Sequence, residues 1–178
     1  MLMYQDPSMK DIVDDFCREG KKQIDALNDL LENLEDDLSD KKQLEEFGQV
    51  IDRMMGAAKS LEIQSVAIFC ELGKNIGYKA SQINQEALIS VVVAVLIDAV
   101  QILEKLILKL EKGEDLELKE ISATAFLTRL QWLNDKFKHI KRSSVAIEGS
   151  NSDYETSNVS NVEDKQDLID DILKQFKK

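Results

Sequence analysis

One proline and seven glycines in 178 residues leave few points at which a helix has to stop. That scarcity argues against turn-dense β-sandwiches and collagen-like chains, which depend on those residues. Histidine is scarcer still. The single one, His139, rules out any nucleophile triad that must also spare a histidine elsewhere, and with it a histidine-based metal cluster. The two cysteines, Cys17 and Cys70, lack metal-type spacing and sit in apolar helical patterns, so they read as free core thiols of a reduced compartment. No glycine-rich phosphate loop is present. An excess of basic charge is also missing. With 23 Lys and Arg against 34 Asp and Glu, the formal charge is -11, and a nucleic acid or an anionic membrane would repel the chain at long range.

What remains is helix-forming material. Leu, Ile, Lys, Glu, Asp and Gln dominate, the straight-chain types among them lose little rotamer freedom in a helix, and the chain is 43% hydrophobic. These features predict an all-α protein with one core: an up-and-down antiparallel bundle of five helices over residues 1–142, because short connections force neighbouring helices to run antiparallel. The first helix is expected over about residues 8–37, opened by a capping box of Ser8 and Asp11. Its apolar positions are Ile12, Val13, Phe16, Ile24, Leu27, Leu30, Leu31 and Leu34. Ser39 is expected to cap the second, whose stripe is Leu44, Phe47, Ile51, Met54, Ala58 and Leu61. A third follows Glu62. Asn84 is expected to cap the fourth, which ends at Gly113, and the fifth carries Phe126, Leu130, Leu133 and Phe137 on one face.

The fourth helix contains the most apolar run, Ala87 to Leu110. Asp98, Glu104, Lys105 and Lys109 interrupt it, and a bilayer span needs about 20 apolar residues, so it is expected to be a core helix. The opening stretch MLMYQDPSMKDIVDD has no basic segment followed by an apolar one, and the expected location is cytoplasmic.

Composition changes after residue 142. Residues 143–162 are rich in Ser, Asn, Gly, Thr and acids, a solvated tether that as a random coil spans roughly 25 Å. Residues 163–178 then return to an amphipathic pattern. Leu168, Ile169, Ile172, Leu173 and Phe176 fall on one helical face, which needs either the bundle or another protein to bury it.

Two resemblances sharpen this reading. Residues 11–112, through DIVDDFCREGKKQIDALNDLLENLEDD and EEFGQVIDRMMGAAKSLEIQSVAIFCELG, resemble the histidine phosphotransfer (HPt) domain, the P1 domain that opens chemotaxis histidine kinases. That family carries H-x-x-K-G on its second helix; the matching residues here are Asp52, Arg53, Met54, Met55 and Gly56, followed by small residues, Lys59 and Leu61. The glycine and the small residues match. The acceptor histidine is an aspartate, which cannot form a phosphoramidate, so the resemblance implies a scaffold that is not a phosphoacceptor and whose second-helix face, Asp52, Met55, Gly56 and Lys59, meets a receiver domain.

The tail's Gln166, Leu168, Ile169, Asp170, Asp171, Ile172 and Leu173 are similar to the Q-x-x-I/V-D-x-L-L pattern by which the chemotaxis phosphatase CheZ and the flagellar switch protein bind the receiver-domain regulator CheY. This implies helix-in-groove docking, with the apolar anchors including Phe176 in the groove and the aspartates at its rim. The alternative is a helix that packs back on its own bundle.

CheZ-like phosphatases place an acid and an amide one helical turn apart. Pairs at that spacing are Glu19/Gln23, Asp29/Asn33, Glu45/Gln49, Glu71/Asn75 and Asp171/Gln175, so the pattern is cheap. Glu45 and Gln49 stand out because Asp52 shares their side of the helix. Three readings stay open: a binding module for a CheY-like receiver, a receiver phosphatase using Glu45 or Asp52 with Gln49, and an unrelated helical interaction protein. None needs a metal or cofactor in this chain; any Mg would belong to the receiver.

Overall fold

The computed structural model describes residues 3–116 and 124–137, and every regular element among them is helical. After two short 3-10 turns at Met3–Gln5 and Pro7–Met9 come α1 (Lys10–Asp36), α2 (Lys41–Ser60), α3 (Gln64–Ser81), α4 (Glu86–Glu111) and α5 (Thr124–Phe137). The linker, the tail from Gln166 to Phe176, His139 and the first residues of the expected fifth helix lie outside the described residues.

Residues 37–40, 61–63 and 82–85 are too short to let successive helices run the same way, so α1 to α4 go up, down, up and down. α1 packs on α2 and on α4, and α3 does the same from the other side, which closes a four-helix ring. α5 lies across α4. It reaches α3 through Phe126, whose ring centroid is 5.8 Å from that of Phe69.

The expected stripes are the ones buried. Leu44, Phe47, Ile51, Met54, Ala58 and Leu61 of α2 all face the core, as do Phe126, Leu130 and Leu133 of α5. Ile12 does not: it is 51% exposed, because α1 turns Val13, Phe16 and Cys17 inward instead. α4 supplies the centre of the bundle. By length and composition it is apolar enough to cross a membrane, so its scattered charges alone do not distinguish it from a span. Its packing accounts for that composition. Val92, Val93, Leu96, Val100, Leu103, Leu106 and Ile107 are buried in the bundle, and Asp98 accepts from Arg129 Nε of α5 at 2.9 Å.

The helix starts differ from the expected caps. Asp6, not Ser8, is the acceptor before α1, taking the Ser8 N–H at 2.9 Å and the Ser8 hydroxyl at 2.8 Å. Asp40, not Ser39, caps α2 by accepting the Lys42 N–H at 3.1 Å, since Ser39 is held by Asp37. Asn84 accepts from Lys41 Nζ at 2.7 Å, and α4 starts at Glu86 with Gln85 in the cap position making no side-chain cap bond. In each case a neighbouring partner outcompeted the local cap.

Gly113 behaves as expected, with φ of +69° at the end of α4. The end of α2 is built the same way without glycine. The Ile63 N–H donates to Ala58 O at 2.9 Å and the Glu62 N–H to Lys59 O at 3.2 Å, while Glu62 takes φ of +58°. Ile63, fully buried, anchors that turn.

Among the described residues, one polar side chain is buried in the core. Asn75 of α3 is 7% exposed, and its Nδ2 has no hydrogen-bond partner. An orphaned buried donor costs about 1–3 kcal/mol, so Asn75→Leu is expected to raise the thermal midpoint by a few degrees, as read by calorimetry. A fall of several degrees would mean that the amide is held by a group it needs.

Candidate functional site

The second-helix face is shaped by what α3 puts beneath it. Gly73 and Gly77 lie one turn apart on α3, and a Cβ at Gly73 would stand 3.6 Å from Phe47 Cε1, one at Gly77 3.8 Å from Phe47 Cδ1. The Phe47 ring thus packs over both glycines in the α2–α3 seam, at a separation that a Cβ would meet in ordinary contact. Gly48 and Gly56 of α2, whose cost to the helix suggests a close approach by another helix or by a partner, serve no contact inside the bundle: a Cβ added at either would meet nothing within 4 Å. Their bare surfaces face outward.

Outside this seam, Glu45, Gln49 and Asp52 line a shallow groove of about 360 Å³ together with Gly48, Lys74 and Tyr78. All three side chains are exposed, as are Gly56 and Lys59, and Met55 is half-buried. The structure thus brings the expected α2 residues onto one surface. Met54, next in sequence, points wholly into the core.

Two ion pairs tie this surface across to α3. Lys74 Nζ donates to Asp52 Oδ1 at 2.7 Å, and Lys59 Nζ stands 3.7 Å from Glu71 Oε2. Each partner is roughly half exposed, where such pairs contribute at most about 1 kcal/mol, so they orient side chains more than they stabilise the fold. Cys70 lies under the same surface. Burial pushes its thiol up to about 12, the Asp52 carboxylate adds to this, and Lys59 works against it. Such a thiol is not a nucleophile at neutral pH.

Lys74 and Tyr78 are the residues that sequence reasoning missed. Tyr78 is 55% exposed, unusual for an aromatic on a bundle helix, and it stands at the head of the groove. Their signal was present in GKNIGY, where glycines four apart mark a close helix approach and the lysine and tyrosine flank it.

Chemically, the surface can bind but offers little enclosure. Asp52 is held by Lys74, Gln49 stands in solvent, and no described group of His, Cys, Asp and Glu is arranged to hold a metal ion. A water positioned by Gln49 would have to be enclosed by something other than this chain's described residues. No family model matches the chain, and no curated protein or solved structure matches it either.

Proposed function

We propose that this chain is a cytoplasmic signalling module that binds a CheY-like receiver-domain response regulator without accepting its phosphate. The reading rests above all on the α2 face, where Asp52, Met55, Gly56 and Lys59 are presented together outward from a four-helix ring. An HPt-like bundle would meet its receiver with this face. Lys74 holds the Asp52 carboxylate in place, and the open surface at Gly56 lets a partner's backbone come close. The tail adds the second contact: Leu168, Ile169, Ile172, Leu173 and Phe176 fill a groove on the receiver, and the aspartates, Asp170 first, meet its rim lysines.

A receiver phosphatase is the second reading, supported by the convergence of Glu45, Gln49 and Asp52 on one groove. The binding module is preferred because Lys74 already occupies the Asp52 carboxylate, one of the two acids that the phosphatase reading would need free for the receiver's lysine, and Glu45 and Gln49 stand exposed with nothing among the described residues to enclose a water.

Titration of a fluorescent CheY-type receiver with the full chain tests the proposal. Ile169→Ala with Leu173→Ala should abolish binding and leave the melting temperature unchanged. Loss of several degrees, with binding intact, would mean that the helix packs on its own bundle and would sink the proposal. In the same mixture, receiver dephosphorylation should proceed at its own rate with wild type and Gln49→Ala alike, and no acid-labile phosphoprotein should form. Acceleration that Gln49→Ala removes by about tenfold or more would favour the phosphatase instead.

A further inference from the structure

The ion pair between Lys74 and Asp52 fixes the register of α2 against α3. The two helices run antiparallel, so one turn from that pair Tyr78 comes opposite Gly48. Both line the groove that Asp52 borders, and Leu44 and Gly77, which are buried, form its floor. Tyr78 itself is 55% exposed.

Gly48 keeps this groove open. A Cβ added there would meet nothing within 4 Å, so Tyr78 has no side chain opposite it at that position. Inside a helix, glycine is also less favourable than any residue except proline. A larger residue at 48 would strengthen α2 and cover part of the tyrosine. The bundle by itself would be firmer with the groove filled.

The lining indicates what fills it instead. Its charged residues are Glu45, Asp52 and Lys74, and the last two are paired at 2.7 Å. Lys41, one turn before Glu45, donates to Asn84 at 2.7 Å, and the Ser81 hydroxyl is spent on the Tyr78 carbonyl at 2.7 Å. A phosphate or carboxylate would therefore find no unengaged cation in the lining. Glu45 and Gln49 are exposed at the rim, where water screens an added ion pair. The uncharged floor suits an apolar group. At about 360 Å³ the groove holds less than a 10 Å length of helix, roughly 800 Å³, so it takes a side chain.

We propose that the groove between Gly48 and Tyr78 seats an apolar side chain of the receiver beside the tyrosine ring, and that this seat decides which receivers the α2 face accepts. This rests on the receiver reading and adds α3 to its contact surface.

The test titrates the fluorescent CheY-type receiver with the full chain. Gly48→Leu should raise the thermal midpoint by a few degrees, since it gains helix propensity without a clash, and weaken binding at least about tenfold, since it fills the seat. A variant more stable than wild type cannot lose binding by unfolding. Asn28→Leu, at an exposed position on α1, should change binding by less than about twofold. Tyr78→Ala should weaken it about fivefold, and Tyr78→Phe should keep it. Full binding by Gly48→Leu, while Ile169→Ala with Leu173→Ala still abolishes it, would overturn this inference and leave the receiver reading standing. No binding by the wild-type chain would overturn both. A midpoint that falls on Gly48→Leu would make the groove part of the bundle's own packing, and a tenfold loss on Glu45→Gln would make the occupant a basic side chain; either result overturns the proposal.

Discussion

Phe47→Ala is expected to destabilise the bundle by roughly 3–5 kcal/mol, a loss at the upper end for a single core substitution. Phe47 is 1% exposed and lies against Gly73 and Gly77, which offer no side chain to fill the space its ring leaves. Glycines have no side chain with which to relax, and closing the gap would require α3 to move as a whole. The expected thermal midpoint falls by on the order of 10 °C, read by circular dichroism or calorimetry. The effect should reach the site. Phe47 lies in the α2–α3 seam across which Lys74 meets Asp52 at 2.7 Å, so the receiver binding proposed for that face should weaken even at a temperature where the variant is folded. A loss below about 1 kcal/mol would mean that α2 and α3 are not held together by this ring.

The two thiols should be silent in the folded chain. Cys17 is pushed up to about 11 by burial first, with Glu111 and Asp14 adding to it and Lys21 opposing, and Cys70 is pushed up to about 12. Both side chains are buried, Cys17 with its Sγ directed at the Ile107 carbonyl at 3.9 Å. Ellman's reagent should therefore react at least about 100-fold more slowly with the native chain than with the urea-unfolded one, because reaction waits for opening. The same shifts set a pH dependence. Between about pH 9 and pH 11–12 the unfolded thiols release protons that the native thiols keep, so the native state binds more protons and stability falls as pH rises. Each thiol contributes up to about 1.4 kcal/mol per pH unit in that window. Replacing both cysteines by alanine should flatten this decline; an unchanged slope would show that the thiols are solvated in the native chain.

The fold was legible where periodicity is long. The α2 stripe from Leu44 to Leu61 repeats often enough to leave one orientation, and all of it is buried. Gly113 was legible because a helix end in the left-handed region ordinarily requires glycine, and Glu62 was illegible for the same reason. The burial of Ile63 holds Glu62 in that conformation, a tertiary contact that no local pattern announces. The caps at Ser8, Ser39 and Asn84 failed because a serine or asparagine has several acceptors and donors within reach, and only the folded chain shows which it uses.

The candidate site divides along the same line. That Glu45, Gln49, Asp52, Gly56 and Lys59 share one side of α2 follows from 3.6 residues per turn, and the sequence alone determines it. It also determines the helical class and the single core. Which side of α2 meets α3, that Lys74 reaches Asp52, and that Ile12 stays outside could be decided only by packing. A helix carries its pattern within itself, because each turn is built from neighbours in the chain. Partners across a bundle come from segments 20 to 90 residues away, such as Lys74 with Asp52 or Lys21 with Glu111, and their pairing depends on how large side chains and glycines interlock between helices.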